Sequence, residues 1–211
     1  MAGDRWNEFY AGGEYERCAY LAGEEMDEYV DRFLDGSGAD PESFASVGCG
    51  PAVTEFALAE RHPDIEFYCC DLSEDVIRDD REVADRRDLP NISFHVRSLP
   101  DLDLGREFDI VYCMATLYFV EAIEDAIEAL YDHVKPGGYL IFNYPNEATR
   151  EWLRDEPEGK REFFAPVAAG ANLLTREAIE QLLGTDVDDY WEFVGAAELQ
   201  SGDSPAVFVQ R

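Results

Sequence analysis

Two glycines around a cysteine, Gly48-Cys49-Gly50, close one short apolar run, and Asp71 closes the next, 21 residues after Gly50. Small residues at such a junction let the backbone come close to a ligand. A helix starting there presents unpaired N–H groups to polar or negative atoms. An acid at the end of the following strand, at this distance, accepts hydrogen bonds from ribose hydroxyls. The pair therefore points to an adenosine-type ligand. A dinucleotide site wants a third glycine for close helix–strand packing. Val53 occupies that place, and residues 46–58 carry no basic side chain to meet a pyrophosphate.

These groups need elements to hold them. Residues 14–34 set Tyr15, Cys18, Met26, Tyr29 and Phe33 at helical spacing, with Gly23 as a break, and Asp35-Gly-Ser-Gly ends the helix. Residues 43–47 read as a strand, and 52–61 as a helix with Pro51 in its first turn. The alternation repeats. Residues 65–70 form a strand, and Ser73 caps a helix to about Arg87 with Glu74 and Asp75 in its first turn. Residues 92–96 and 108–114 are strands, the second apolar nearly throughout, as for a strand covered on both faces. Residues 121–134 are an amphipathic helix that Lys135-Pro-Gly-Gly breaks, and 139–144 a strand. Residues 145–174 look irregular. Thr175 caps a helix to about Leu183, and 187–194 and 206–209 read as two last strands. Strands alternating with helices predict a doubly wound, mostly parallel seven-stranded α/β sheet with helices on both faces. A length of 211 residues suits one domain. Its expected parts are an N-terminal helical cap (1–40), a ligand-binding core (41–145), a candidate lid (146–174) and a C-terminal helix with a strand pair (175–211).

Composition narrows the setting. The formal net charge is −30, with 47 acidic residues against 17 basic ones, of which only Lys135 and Lys160 are lysines. The acids are spread along a chain that is 46% hydrophobic and 13% aromatic, so it folds and is not an acidic tail. Such a surface repels itself in dilute salt. The composition resembles that of proteins from salt-loving archaea, and it removes net charge as an argument against an RNA partner. No apolar run reaches the roughly 18 residues of a membrane span, and the N-terminus lacks an apolar leader core, so a cytoplasmic protein without a membrane partner is expected. Five cysteines, Cys18, Cys49, Cys69, Cys70 and Cys113, show no zinc-ligand spacing. Buried free thiols and no metal are expected. His62, His95 and His133 are scattered and read as surface or cap residues.

Four segments in register carry a resemblance. Phe44-Ala-Ser-Val-Gly-Cys-Gly-Pro-Ala resembles the first motif of class I S-adenosylmethionine-dependent methyltransferases. Phe67-Tyr-Cys-Cys-Asp-Leu-Ser is similar to their acidic strand end. The run from Phe108 through Val120 is similar to their fourth strand and its loop, and His133-Val-Lys-Pro-Gly-Gly-Tyr-Leu to the turn before their fifth. The family usually ends in a strand pair with the last strand antiparallel, which would fall on 187–194 and 206–209. Three positions depart from the family's habit: Ser46 and Ser98 where an acid is common, and Ala52 where a glycine closes the first motif.

The resemblance implies S-adenosylmethionine as cofactor and methyl transfer by in-line displacement. Gly48, Cys49 and Gly50 would line its amino-acid portion, Asp71 the ribose, and Leu72, Ser98 and Leu99 the adenine. Cys113, Met114 and Ala115 would form the wall near the sulfonium through their backbone carbonyls. The acceptor would enter between the N-terminal segment, residues 116–119 and the stretch after Tyr144, with Tyr118, Asn143 and Tyr144 as polar candidates. Tyr10 and Tyr15 are candidates for a segment closing over the methyl group. Cys49 as a nucleophile is disfavoured, since the motif often carries cysteine there merely as a small residue. Short additions to the core favour a small-molecule acceptor, with protein or RNA left open. Two other readings compete: a binding or regulatory protein that keeps the pocket without turnover, and a nicotinamide-dependent oxidoreductase, which Val53 opposes.

Overall fold

The computed structural model describes residues 2–11, 25–197 and 204–211. Periodicity sets most of its elements. Helix α1 (Ala2–Ala11) precedes α2 (Met26–Ser37), which buries Met26, Tyr29, Val30, Phe33 and Leu34 along one stripe and stops at Gly38 in the left-handed conformation. The core then alternates: β1 (Ser43–Val47), α3 (Val53–Arg61), β2 (Glu66–Asp71), α4 (Glu74–Arg87), β3 (Ile92–Val96) and β4 (Phe108–Cys113). A single 3₁₀ turn (Leu117–Phe119) leads to α5 (Ile123–Asp132) and β5 (Val134–Asn143). Ser73 caps α4 by accepting from the Val76 N–H, and Thr175 caps α9 (Arg176–Leu183) by accepting from Ala178.

With β6 (Asp188–Asp189) and β7 (Ala206–Gln210), the seven strands run in the order β3-β2-β1-β4-β5-β7-β6, β7 antiparallel to both of its neighbours and β1 to β5 mutually parallel. Successive strand residues face opposite cores. Phe44, Cys69 and Tyr112 pack under α2, α3 and α4, while Ala45, Cys70 and Cys113 pack under α5 and α9. The chain moves outward from β1 to β3 and then returns to β4 on the other side of β1. That reversal opens a crevice at the carboxyl ends of β1 and β4.

Three expected elements differ. Residues 187–194 are not one strand: β6 is only Asp188–Asp189, followed by the short helix α10 (Tyr190–Phe193). The Asp189 carboxylate accepts from the Glu192 N–H and turns the chain, and the buried rings of Tyr190 and Trp191 pack inward. Lys135-Pro-Gly-Gly does not precede the fifth strand but lies inside it, as an irregular stretch where Gly137 and Gly138 exchange hydrogen bonds with Arg211. Residues 145–174 hold three short helices, α6 (Glu147–Arg154), α7 (Glu158–Phe163) and α8 (Ala165–Ala169). A capping box between Asn146 and Thr149 starts α6. The N-terminal helix expected over 14–34 is described only from residue 25 onward; Tyr15, Cys18 and Gly23 lie outside the described residues.

Candidate functional site

The turn after β1 is built for close approach. Gly48 and Gly50 have φ of 78° and 52°. A Cβ at Gly48 would lie 2.1 Å from Thr116 Oγ1, and one at Gly50 would lie 2.9 Å from the Tyr10 hydroxyl. Ala52 holds φ of 51° with a side chain, fully buried, and its N–H donates to the Cys49 carbonyl. The Gly48 and Cys49 N–H groups both donate to the Cys70 carbonyl, at 2.7 and 3.0 Å. The loop therefore offers a ligand nearness more than N–H donors.

Asp71 ties this turn to the next. Its Oδ2 accepts from the Gly50 N–H at 3.1 Å and its Oδ1 from the Ser73 N–H at 2.8 Å. Burial pushes the carboxyl up, and the backbone donors of Ser73, Gly50 and Leu72 oppose that. Two accepted bonds leave lone pairs on both oxygens for further donors.

A third loop completes the wall. Ala115, at φ of 56°, donates its N–H to Asn143 Oδ1 at 2.7 Å. Thr116 Oγ1 bonds the Met114 and Gly48 carbonyls at 3.0 and 3.3 Å and so joins the β1 and β4 loops. Asn143 Nδ2 donates to the Tyr118 hydroxyl, which itself bonds Ser204 Oγ at 2.8 Å.

Between these loops lies a cavity of about 460 Å³, within the range of small-molecule sites. Helix α1 covers it. Ser73 Oγ donates to Asn7 Oδ1 at 2.6 Å, and the Trp6 ring meets Phe119 and Phe163 edge-on at 4.8 and 5.4 Å. Arg5 bonds the Phe163 carbonyl and stacks on its ring.

Of the residues read from the sequence, Gly48, Cys49, Gly50, Asp71, Leu72, Ser98, Leu99, Met114, Ala115 and Asn143 border this cavity, and Tyr10 does too. Cys113 does not. It is fully buried in the core on the α5 side of the sheet, because the strand's pleat turns it away. Tyr118 stands behind Asn143, and Tyr144 packs against Phe142, so neither reaches the cavity wall. The Cys49 thiol is pushed well up by burial, then by Cys69 and the carboxylates of Asp71, Asp80 and Glu55, which opposes a thiolate nucleophile. No histidine borders the cavity among the described residues: His62 bonds Asp31, His95 stacks on Tyr68, and His133 bonds Leu104 and Ala129. The same residues contain no cluster of metal-ligating side chains and no helix long and apolar enough to cross a membrane. Sequence reasoning does not assign Ser46, Glu55 or Arg97 to the site, yet all three are on the wall. The first had been noted only as a departure from a motif.

Comparison with known proteins agrees with this architecture. Residues 45–140 match the family model described as a methyltransferase domain. The ubiquinone biosynthesis O-methyltransferase of Acinetobacter baylyi is 27% identical over 157 residues, covering 72% of this chain and 57% of that protein. The malonyl-[acyl-carrier protein] O-methyltransferase 2 of Ilyobacter polytropus is 20% identical over 152 residues, with 72% and 55% covered. The chain thus spans little more than half the length of these relatives. Among solved structures, the plantazolicin methyltransferase BpumL in complex with SAH superposes with a TM-score of 0.64 at 15% identity, over 99% of this chain and 90% of that one. An O-methyltransferase family protein from Burkholderia thailandensis gives 0.60 at 19%, over 89% and 56%. Residues 45–140 are thus similar to a methyltransferase domain, and the fold is the one shared with solved S-adenosylmethionine-dependent methyltransferases, whose cofactor is S-adenosylmethionine.

The residues present fit that cofactor. The cavity of about 460 Å³ suits a small molecule, and Asp71 keeps free lone pairs at its wall.

Proposed function

We propose that this chain transfers the methyl group of S-adenosylmethionine, by in-line displacement, to a small-molecule acceptor. The observation that carries the reading is the cavity at the carboxyl ends of β1, β2 and β4, with the glycine turn, Asp71 and the Ala115 loop on one wall. Asp71 accepts from the ribose hydroxyls. Leu72, Ser98 and Leu99 flank the adenine, and Gly48, Cys49 and Gly50 border the amino-acid portion. Met114 and Ala115 lie near the sulfonium, where the partial negative charge of carbonyl oxygens favours that cation. Bound there, the cofactor supplies an electrophilic methyl group. The protein's part is to place a nucleophile in line and to exclude water. Asn143 positions the Ala115 loop, and Tyr118 acts behind it.

The relatives named as O-methyltransferases support an oxygen acceptor. The rings of Trp6 and Phe119 on the cavity wall favour an acceptor with an apolar body. We further place the protein in the cytoplasm of a cell rich in salt, on the strength of its −30 charge.

The test is calorimetric binding of S-adenosylmethionine and S-adenosylhomocysteine in about 2 M KCl, with NADH as control and Asp71→Ala alongside. Micromolar binding that Asp71→Ala loses supports the reading. A folded sample that binds neither compound refutes it.

A further inference from the structure

Ser46, Glu55, Tyr112 and Trp191 border the same cavity as the glycine turn. Their polar groups are out of balance. Glu55 is 4% exposed and Ser46 2%, and the Ser46 hydroxyl donates to Glu55 Oε1 at 2.5 Å. No arginine, lysine or histidine among the described residues pairs with this carboxylate. Tyr112, 3% exposed, has a buried hydroxyl with no hydrogen-bond partner among the described residues. A buried carboxylate without a cation is costly, and a buried hydroxyl without a partner adds to that cost. Proteins keep such groups where a ligand completes them. The missing group is a compact cation with several hydrogens to donate.

Resting on the reading above, we infer that Glu55, oriented by Ser46, is the anionic seat of the α-ammonium group on the cofactor's amino-acid portion, with the Tyr112 hydroxyl as a second acceptor. The placement is consistent along the chain. Glu55 lies in the first turn of α3, five residues after Gly50, and borders the same cavity as the Gly48–Gly50 turn. Burial pushes the empty carboxyl up to about 6, opposed by the Ser46 hydroxyl, and a bound cation would draw it back down.

Calorimetry with the full chain in about 2 M KCl at pH 7.5 tests this with two probes, S-adenosylhomocysteine and its deamino analogue, which lacks only the amine. The wild type should prefer the amine-bearing compound by about tenfold or more, the factor that 1.4 kcal/mol gives. Glu55→Gln should reduce that preference to within about twofold and leave the deamino affinity unchanged. Ser46→Ala should reduce it by about threefold, and decides the matter if Glu55→Gln fails to fold. Wild type without a preference, or variants that keep it, overturns the seat while leaving the cofactor reading intact. A wild type that binds neither probe overturns both readings.

Discussion

Replacing Asp80 by asparagine should stabilise the protein, and more so at pH 7 than at pH 5. Asp80 lies on α4, 4% exposed, and its Oδ2 has no hydrogen-bond partner among the described residues. Burial first, then the charges of Glu55, Asp71 and Asp79, push its carboxyl up from 3.8 to about 9. The sign follows from linkage. Below pH 3.8 the group is protonated in both states and costs nothing. Above it the unfolded chain is ionised while the folded one is not, so the folded state loses stability as pH rises, until about 9. From 3.8 to pH 7 is 3.2 pH units, which at 1.36 kcal/mol each is about 4 kcal/mol; to pH 5 it is about 1.6 kcal/mol. Asparagine never ionises, so its advantage over wild type should grow by about 2–3 kcal/mol between the two pH values. Whatever the amide itself costs by lacking a partner is the same at both, and cancels. Urea unfolding in 2 M KCl, followed by tryptophan fluorescence, measures both gaps. A gap that is equal at pH 5 and 7, or smaller at 7, refutes the reasoning.

Other consequences can be checked alongside. Gly48→Ala sets a Cβ 2.1 Å from Thr116 Oγ1 at φ of 78°, and should cost about 2–3 kcal/mol by thermal unfolding. Ser73→Ala removes both the α4 cap and the Asn7 contact; it should cost about 1 kcal/mol and weaken S-adenosylhomocysteine binding by releasing α1. Asn143→Ala strands the Ala115 N–H, a cost of about 1–3 kcal/mol, and should lower methyl-transfer kcat more than cofactor affinity once an acceptor is in hand. Raising KCl from 0.1 to 2 M should raise Tm, because the −30 charge repels itself in dilute salt; a Tm that falls would refute the charge argument.

Much of the frame could be read from local signals. β1 ends where residues 43–47 ended it, and Ser73 and Thr175 cap the helices they were expected to cap. These features rest on neighbours within a turn or two. The stretch 145–174 hid three helices because runs of eight, six and five residues are too short to show a period. Residues 187–194 carried the aromatic, apolar look of a strand, but the Asp189 cap and two rings seeking the core turned them into a helical turn. The site divides in the same way. Gly48, Gly50 and Asp71 are legible because a motif lies within one β–turn–α unit. Glu55 against Ser46, Thr116 against Gly48 and Asn143 against Ala115 are tertiary pairings, and only the sheet order brings the last two together. The pleat turns the Cys113 side chain to the other core, away from the wall that its neighbours border.

The parity of the strands also fixes what the thiols can report. Cys69 and Cys70 are neighbours facing opposite cores, and Cys113 is sealed beneath α5, so alkylating reagents reach these three only when the sheet comes apart. Cys49 alone of the four stands on the cavity wall. In a Cys18→Ser background, one labelling time course therefore carries two clocks. The modification of Cys49, at the cavity wall, slows when a ligand fills the crevice, and the modification of the other three times the opening of the whole domain.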